Sequence, residues 1–199
     1  MSDLILASGS PIRRSLLERA GIRFAVEKPR VDEDALRKSL TQDDVSPRDM
    51  SDALADFKAR RVASKTSAGF VLAADQILEF DGAAIGKSRD QAEAAELLSR
   101  LQGQQHKVHS AVVIYENAKP VWRHVATATL TMRALTANDI DRYLSRHWLD
   151  VSYCVGHYRV DAEGIRLFQR IDGDYFTVLG IPLLQTLNYL SDRGVLEDD

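Results

Sequence analysis

The chain has 199 residues, enough for one compact domain spanning residues 1–199, and its 45% apolar and 28% charged residues exclude a disordered or fibrous protein. A formal charge of −3 argues against a dedicated nucleic-acid binder, which would carry a basic excess. Cys154 is the only cysteine, so no intramolecular disulfide can form, and the first apolar stretch, residues 4–7, is too short for a signal-peptide core or a membrane span; the expected setting is the cytoplasm, away from membranes.

Residues 4–7 (LILA) read as a short buried strand, and Ser10-Pro11 as a helix cap followed by proline at the first helical position. That helix is expected over 11–20, with Gly21 as its stop. A second strand is expected over 22–26, before the acidic run 31–34. Ser46-Pro47 repeats the cap signal and opens a long helix to about Lys65, with Leu54, Phe57 and Val62 on one face.

Residues 70–74 (FVLAA) form a continuous apolar run that fits a strand buried on both faces, with Asp75 at its carboxyl end. Asp81-Gly82 signals a hairpin, and Gly86-Lys87 precedes a helix over 90–101. Two longer strands, 108–115 and 121–132, meet near Asn117. A helix over 137–146, a strand over 165–171 and a closing helix over 182–190 complete the reading. Helices and strands intermix without repeat or linker, so the class is α/β.

Three places could carry chemistry. At Ser8-Gly9-Ser10-Pro11-Ile12-Arg13-Arg14 a strand passes through a small-residue turn into a helix N-terminus, where unpaired N–H groups attract anions. Arg13 falls at the third helical position, which the helix dipole disfavours for a cation; a bound phosphate would resolve that conflict, and a plain cap with two solvated arginines is the other reading. No GxxxxGK[ST] and no GxGxxG is present, which disfavours Walker-type and nicotinamide sites.

Asp75 could hold a metal or activate water, or simply cap the turn after its strand. Lys58, four residues from both Leu54 and Val62, lies beside the apolar stripe and could aim into a pocket, or run its stem along the core with its head in water. Lys87 is a phosphate partner or a loop lysine. Glu33, in the acidic run, could ligate a hard divalent cation or belong to a solvated loop. His106 and His109 lack HExxH spacing and point to no zinc site.

The segments LILASGSPIRRSLLERAGI, VDED, LADFKARRVA, LAADQI, IGKSRDQAEAAELLSRLQGQQHKVHSAV and YCVGHYRVDAEGIRLFQRIDGDYFTVLGIPLL resemble, in order and spacing, the blocks of the Maf family of nucleoside triphosphate pyrophosphatases. The resemblance implies a mixed α/β fold of two lobes around a cleft, similar to inosine triphosphate pyrophosphatases, and a homodimer. It also implies a divalent cation, Mg²⁺ or Mn²⁺, and hydrolysis of a nucleoside triphosphate to the monophosphate and pyrophosphate. Carried over, Asp75, Lys58 and Lys87 become catalytic, Glu33 and Asp75 metal-side, and Ser8 and Arg13 phosphate-side.

Ile12 and Gln76 look like the family branch that acts on 7-methyl-GTP, whereas the dTTP/UTP branch carries arginine and threonine there. Asp161 stands one methylene short of the first branch's glutamate and could accept hydrogen bonds from a guanine edge. The rival expectations are a dTTP/UTP-type enzyme and a nucleotide-binding regulator of cell division without turnover.

Overall fold

Apolar runs supply the centre of the sheet, and their alternation decides which face each side chain covers. The computed structural model describes residues 4–196. β1 (Leu4–Leu6) lies between the two-residue β2 (Ala25–Val26) and β3 (Phe70–Phe80), parallel to both. β3 runs antiparallel to β5 (Gln105–Glu116), which pairs with β6 (Lys119–Met132) and then β7 (Phe168–Asp172). The short β4 (Ala83–Ile85) folds back on β3, giving a seven-stranded mixed sheet in the order β2-β1-β3-β5-β6-β7 with β4 on β3.

On one face, Ile5, Val71, Ala73, Ala111 and Val113 pack against Ala55, Ala59 and Val62 of α3 (Pro47–Ala63). On the other, Leu4, Leu6, Leu72, Ala74, Val112 and Ile114 join a larger core with Leu16 and Leu17 of α1 (Pro11–Arg19), Leu98 of α4 (Gln91–Leu101), Leu144 of α5 (Ala137–Val151) and Leu190 of α7 (Leu183–Asp192). The period-2 pattern of β3 therefore buries both faces, as its composition predicts. Each fully buried aliphatic such as Leu54 or Val62 contributes about 1.5–3 kcal/mol.

Turn chemistry matches the sequence signals. Ser10 and Ser46 each accept a backbone N–H from the third residue of the helix they open. Gly21 ends the first helix at φ +77°, and Asp81-Gly82 (φ 52° and 76°) close the β3-β4 hairpin in the left-handed region. Asn117 and Ala118, both at positive φ, turn β5 into β6.

Five expectations are corrected. Of the two readings of the acidic run, the solvated loop fails: Asp32 caps α2 (Glu33–Gln42), whose Leu36 and Leu40 pack on Met50, Leu54 and Ile77. The second strand shrinks to Ala25–Val26. Phe57 is 43% exposed rather than part of the apolar stripe, because α3 turns its alanines to the sheet. The segment from Ile165 begins as a 3-10 turn (Glu163–Leu167) before β7, and a short helix α6 (Tyr175–Val178) precedes α7.

The fifth correction matters most. Asp75 does not end its strand, since Ile77, Leu78 and Phe80 resume the buried pattern after the polar pair. β1 covers residues 70–72 along one edge of β3 and β4 covers residues 78–80, while β5 occupies the opposite edge throughout. Residues 73–77 thus face a gap with no strand neighbour among the described residues. Asp75 and Gln76 project from opposite faces of the sheet, yet both border that gap.

Candidate active site

The gap opens into a cavity of about 490 Å³. Its walls come from the β1-α1 turn, α2, α3, β3, the loop before α4, and the stretches 153–161 and 178–180. Ser8, Ile12, Arg13, Glu33, Lys58, Asp75, Gln76, Lys87 and Asp161 all line it, so every sequence-derived candidate converges on one space.

Lys58 stands at the centre. Its place between Leu54 and Val62 on α3 carries it under the sheet, where its ammonium is 2.6 Å from Asp75 Oδ1 and 3.0 Å from Glu33 Oε1. Only 6% of Lys58 and 4% of Asp75 is exposed, so the lysine is a buried, paired cation and not one with its head in water. Two carboxylates from α2 and β3 share one ammonium. Burial makes this pairing obligatory, because an isolated charge at such depth would be strongly destabilising.

The β1-α1 turn supplies the anion-side groups. Ser8 Oγ accepts the Ser10 N–H at 3.2 Å, which leaves its hydroxyl proton to donate elsewhere. Arg13 is 9% exposed, and its Nε donates to Gly180 O at 2.8 Å. That bond aligns the guanidinium and frees its terminal nitrogens. Burial pulls the Arg13 pKa below its ordinary value, against the attraction of Asp75 and Glu33, while Arg37 opposes the charge from a distance. Gly180 sits at φ +104°, and a Cβ there would lie 3.3 Å from Arg13 Nε. Arg14 instead pairs with Glu18 on the exposed side of α1.

Gln76 is oriented by acceptors that cannot donate. Its Nε2 lies 3.1 Å from Thr177 O and 3.0 Å from Val178 O, and 3.0 Å from Ser110 Oγ, which itself donates to Thr177 O at 2.7 Å. The amide nitrogen must face those carbonyls, so Oε1 is the end left for a ligand. Asp161 does not present a free carboxylate: Arg159 forks onto it at 3.1 and 2.7 Å and draws its pKa down. A base would meet the ion pair.

Sequence reasoning missed Arg37 and Arg159. Arg37 lies 3.5 Å from Asp75 Oδ2 and is carried by α2, a stretch to which no element was assigned; the spacing of Leu36 and Leu40 behind the Asp32 cap was the available signal. With them the cavity holds five cations, Arg13, Arg37, Lys58, Lys87 and Arg159, against the carboxylates Glu33, Asp75 and Asp161. A net positive cavity in a chain of formal charge −3 selects for anions.

Cys154 also lines the cavity, but burial pushes its thiol up to about 11, far from the thiolate a nucleophile needs. His106 contacts Tyr158 Oη at 2.8 Å and His109 contacts Glu79 at 2.7 Å, so they serve separate networks. Among the described residues no group of three or more His, Cys, Asp or Glu could hold a metal. Glu33 and Asp75 are hard carboxylate donors of the kind Mg²⁺ or Mn²⁺ prefers, and Lys58 holds one oxygen of each. Among the described residues no helix is long and apolar enough to cross a membrane.

Residues 3–193 match the family model described as Maf-like protein. The chain is 50% identical to nucleoside triphosphate pyrophosphatase 1 of Jannaschia sp. (strain CCS1), covering 98% of this chain and 99% of that protein. It is 43% identical to 7-methyl-GTP pyrophosphatase of Rhizobium meliloti (strain 1021), covering 98% of each. A solved nucleoside-triphosphatase, dITP/XTP pyrophosphatase, from Mycobacterium abscessus aligns over 96% of this chain and 95% of its own with TM-score 0.44 and 14% identity.

Proposed function

Since the chain belongs to the Maf family, we propose that it is a nucleoside triphosphate pyrophosphatase, cutting between the α and β phosphates to release a nucleoside monophosphate and pyrophosphate. The observation that carries this reading is the Lys58-bridged pair of Asp75 and Glu33 in the same cavity as Arg13 and Lys87. Water-activating and phosphate-binding groups are what phosphoanhydride hydrolysis requires.

In this mechanism the terminal nitrogens of Arg13, the Lys87 ammonium and the Ser8 hydroxyl bind the phosphate oxygens. Arg37 adds positive charge beside Asp75. Asp75 orients a water and takes its proton as the water oxygen bonds to the α phosphorus, and the bond to the bridging oxygen breaks. The leaving pyrophosphate gathers charge that Arg13 and Lys87 offset. Glu33 and Asp75 would hold a divalent cation, Mg²⁺ or Mn²⁺, which when bound supplies further charge neutralisation at the phosphates. Lys58 pairs with Asp75 and fixes it in place.

The proposed substrate is a 7-methyl-GTP-like nucleotide. Ile12 offers an apolar contact, Gln76 Oε1 an acceptor for the N–H groups of a purine edge, and Asp161 a negative group near a cationic base, moderated by Arg159. The name of the Rhizobium meliloti relative supports this choice. The protein would work in the cytoplasm as a homodimer.

The test is a panel of canonical and methylated nucleoside triphosphates, with and without Mg²⁺ or Mn²⁺, scored by pyrophosphate release. The reading expects metal-dependent turnover with 7-methyl-GTP preferred. Preference for dTTP and UTP would assign the other branch, and tight triphosphate binding without turnover would assign a regulator.

A further inference from the structure

A second concavity, of about 300 Å³, lies between α5, the loop after β6 and the 3-10 turn, and shares no lining residue with the first cavity. Four arginines border it, Arg133, Arg142, Arg146 and Arg166, against two carboxylates, Asp139 and Glu163. On α5 the spacing of residues 139, 142 and 146 puts them on one face.

Two of the guanidiniums are already held in place. Arg133 Nη1 donates to Arg166 O at 3.2 Å, and Arg142 Nη2 donates to Asp139 Oδ1 at 2.6 Å, an aspartate itself fixed by its capping box with Thr136. Arg146 and Arg166 form no ion pair among the described residues. Four positive groups against two negative ones leave a local excess of two positive charges, in a chain whose formal charge is −3. Such an excess of arginine draws anions, and arginine meets phosphate oxygens bidentately.

The concavity backs onto the wall of the first cavity. Residues 159–161 line the first space, and Glu163, Arg166 and Leu167 line the second. Between them Gly164 is packed so closely that a Cβ would lie 2.5 Å from Arg159 O and 2.8 Å from Tyr143 Oη.

We propose that this concavity is a second anion site that takes inorganic pyrophosphate, behind the wall that carries Arg159 and Asp161. The choice of pyrophosphate over other compact polyphosphates rests on the function proposed above, of which it would be the product; the anion site itself rests on the arginines. The smaller volume suits a bare pyrophosphate better than a whole nucleotide.

Calorimetric titration of the full chain with sodium pyrophosphate at fixed ionic strength tests this. Two binding events are expected for the native chain and one for the double variant Arg146→Gln/Arg166→Gln, the second event weakening at least about tenfold. The same variant should keep the native melting temperature and the native initial rate with nucleotide, since neither residue touches the first cavity. Two events of unchanged affinity in the variant, or a single native event that the variant retains, would overturn the proposal. The titration needs no turnover, so an inactive protein that still binds two equivalents would contradict the enzymatic reading while leaving this site standing.

Discussion

Lys58 Nζ lies 2.6 Å from Asp75 Oδ1, and both side chains are nearly closed to solvent. This contact joins the middle of the long helix to the middle of the central strand, at the gap that β1 and β4 leave along its edge. The stability of the fold and the proposed chemistry meet in the same pair.

Replacing Asp75 with asparagine removes the charge while keeping the volume. Turnover should fall by about 10²–10⁴-fold, the range for losing a general base, with the far-ultraviolet circular dichroism spectrum unchanged. Steady-state pyrophosphate release measures it, and a native rate in the variant would exclude the role given to Asp75.

Lys58→Met leaves Asp75 without its ammonium. Breaking a buried pair from one side should destabilise the fold by about 3 kcal/mol, read by urea denaturation. Adding Asp75→Asn should restore part of that loss, because the buried carboxylate, left with only Arg37 at 3.5 Å, is then gone. Strictly additive losses would mean the two residues do not act as a pair.

Gly180→Ala tests the seat of Arg13. The positive φ of Gly180 and the 3.3 Å approach to Arg13 Nε both oppose a methyl group. The expected cost is about 1–3 kcal/mol of stability together with a raised KM for nucleotide, as the guanidinium shifts. A native KM would show that Arg13 does not need that carbonyl.

The legibility of these residues in the sequence follows their local surroundings. Ser10, Gly21, Asp81-Gly82 and the alternating run of β3 act through the backbone within a few residues, so cap, stop, hairpin and buried strand could be read directly. Lys58 and Glu33 could only be named as candidates, because the buried state of Lys58 and its pairing with Glu33 and Asp75 depend on a helix and a strand 17 or more residues away. Asp75 was misplaced at a strand end because two polar residues interrupt an apolar run; the gap that accommodates them is made by the lengths of two other strands. Arg37 was hidden with its helix, and the Arg159 fork that engages Asp161 has no periodic signature.

His106 gives a pH signature independent of catalysis. It is 2% exposed, with Nε2 on Tyr158 Oη and Nδ1 without a partner among the described residues. Burial pushes its pKa down to about 4 from an ordinary 6.5, so between these values the unfolded chain binds the extra proton and the folded chain does not. The stabilisation is complete above the unfolded value and is lost as pH falls towards the folded one, up to about 3 kcal/mol. Urea midpoints across that window should drop with acidity, and His106→Gln, which takes up no proton, should flatten the slope. An equal slope in both proteins would place the effect elsewhere.

The most direct measurement is the identity of the products. Phosphorus nuclear magnetic resonance of a nucleoside triphosphate incubated with the protein and Mg²⁺ should show nucleoside monophosphate and pyrophosphate growing in equal amounts, and neither with Asp75→Asn. Nucleoside diphosphate with orthophosphate, or identical product formation by the variant, would contradict the account.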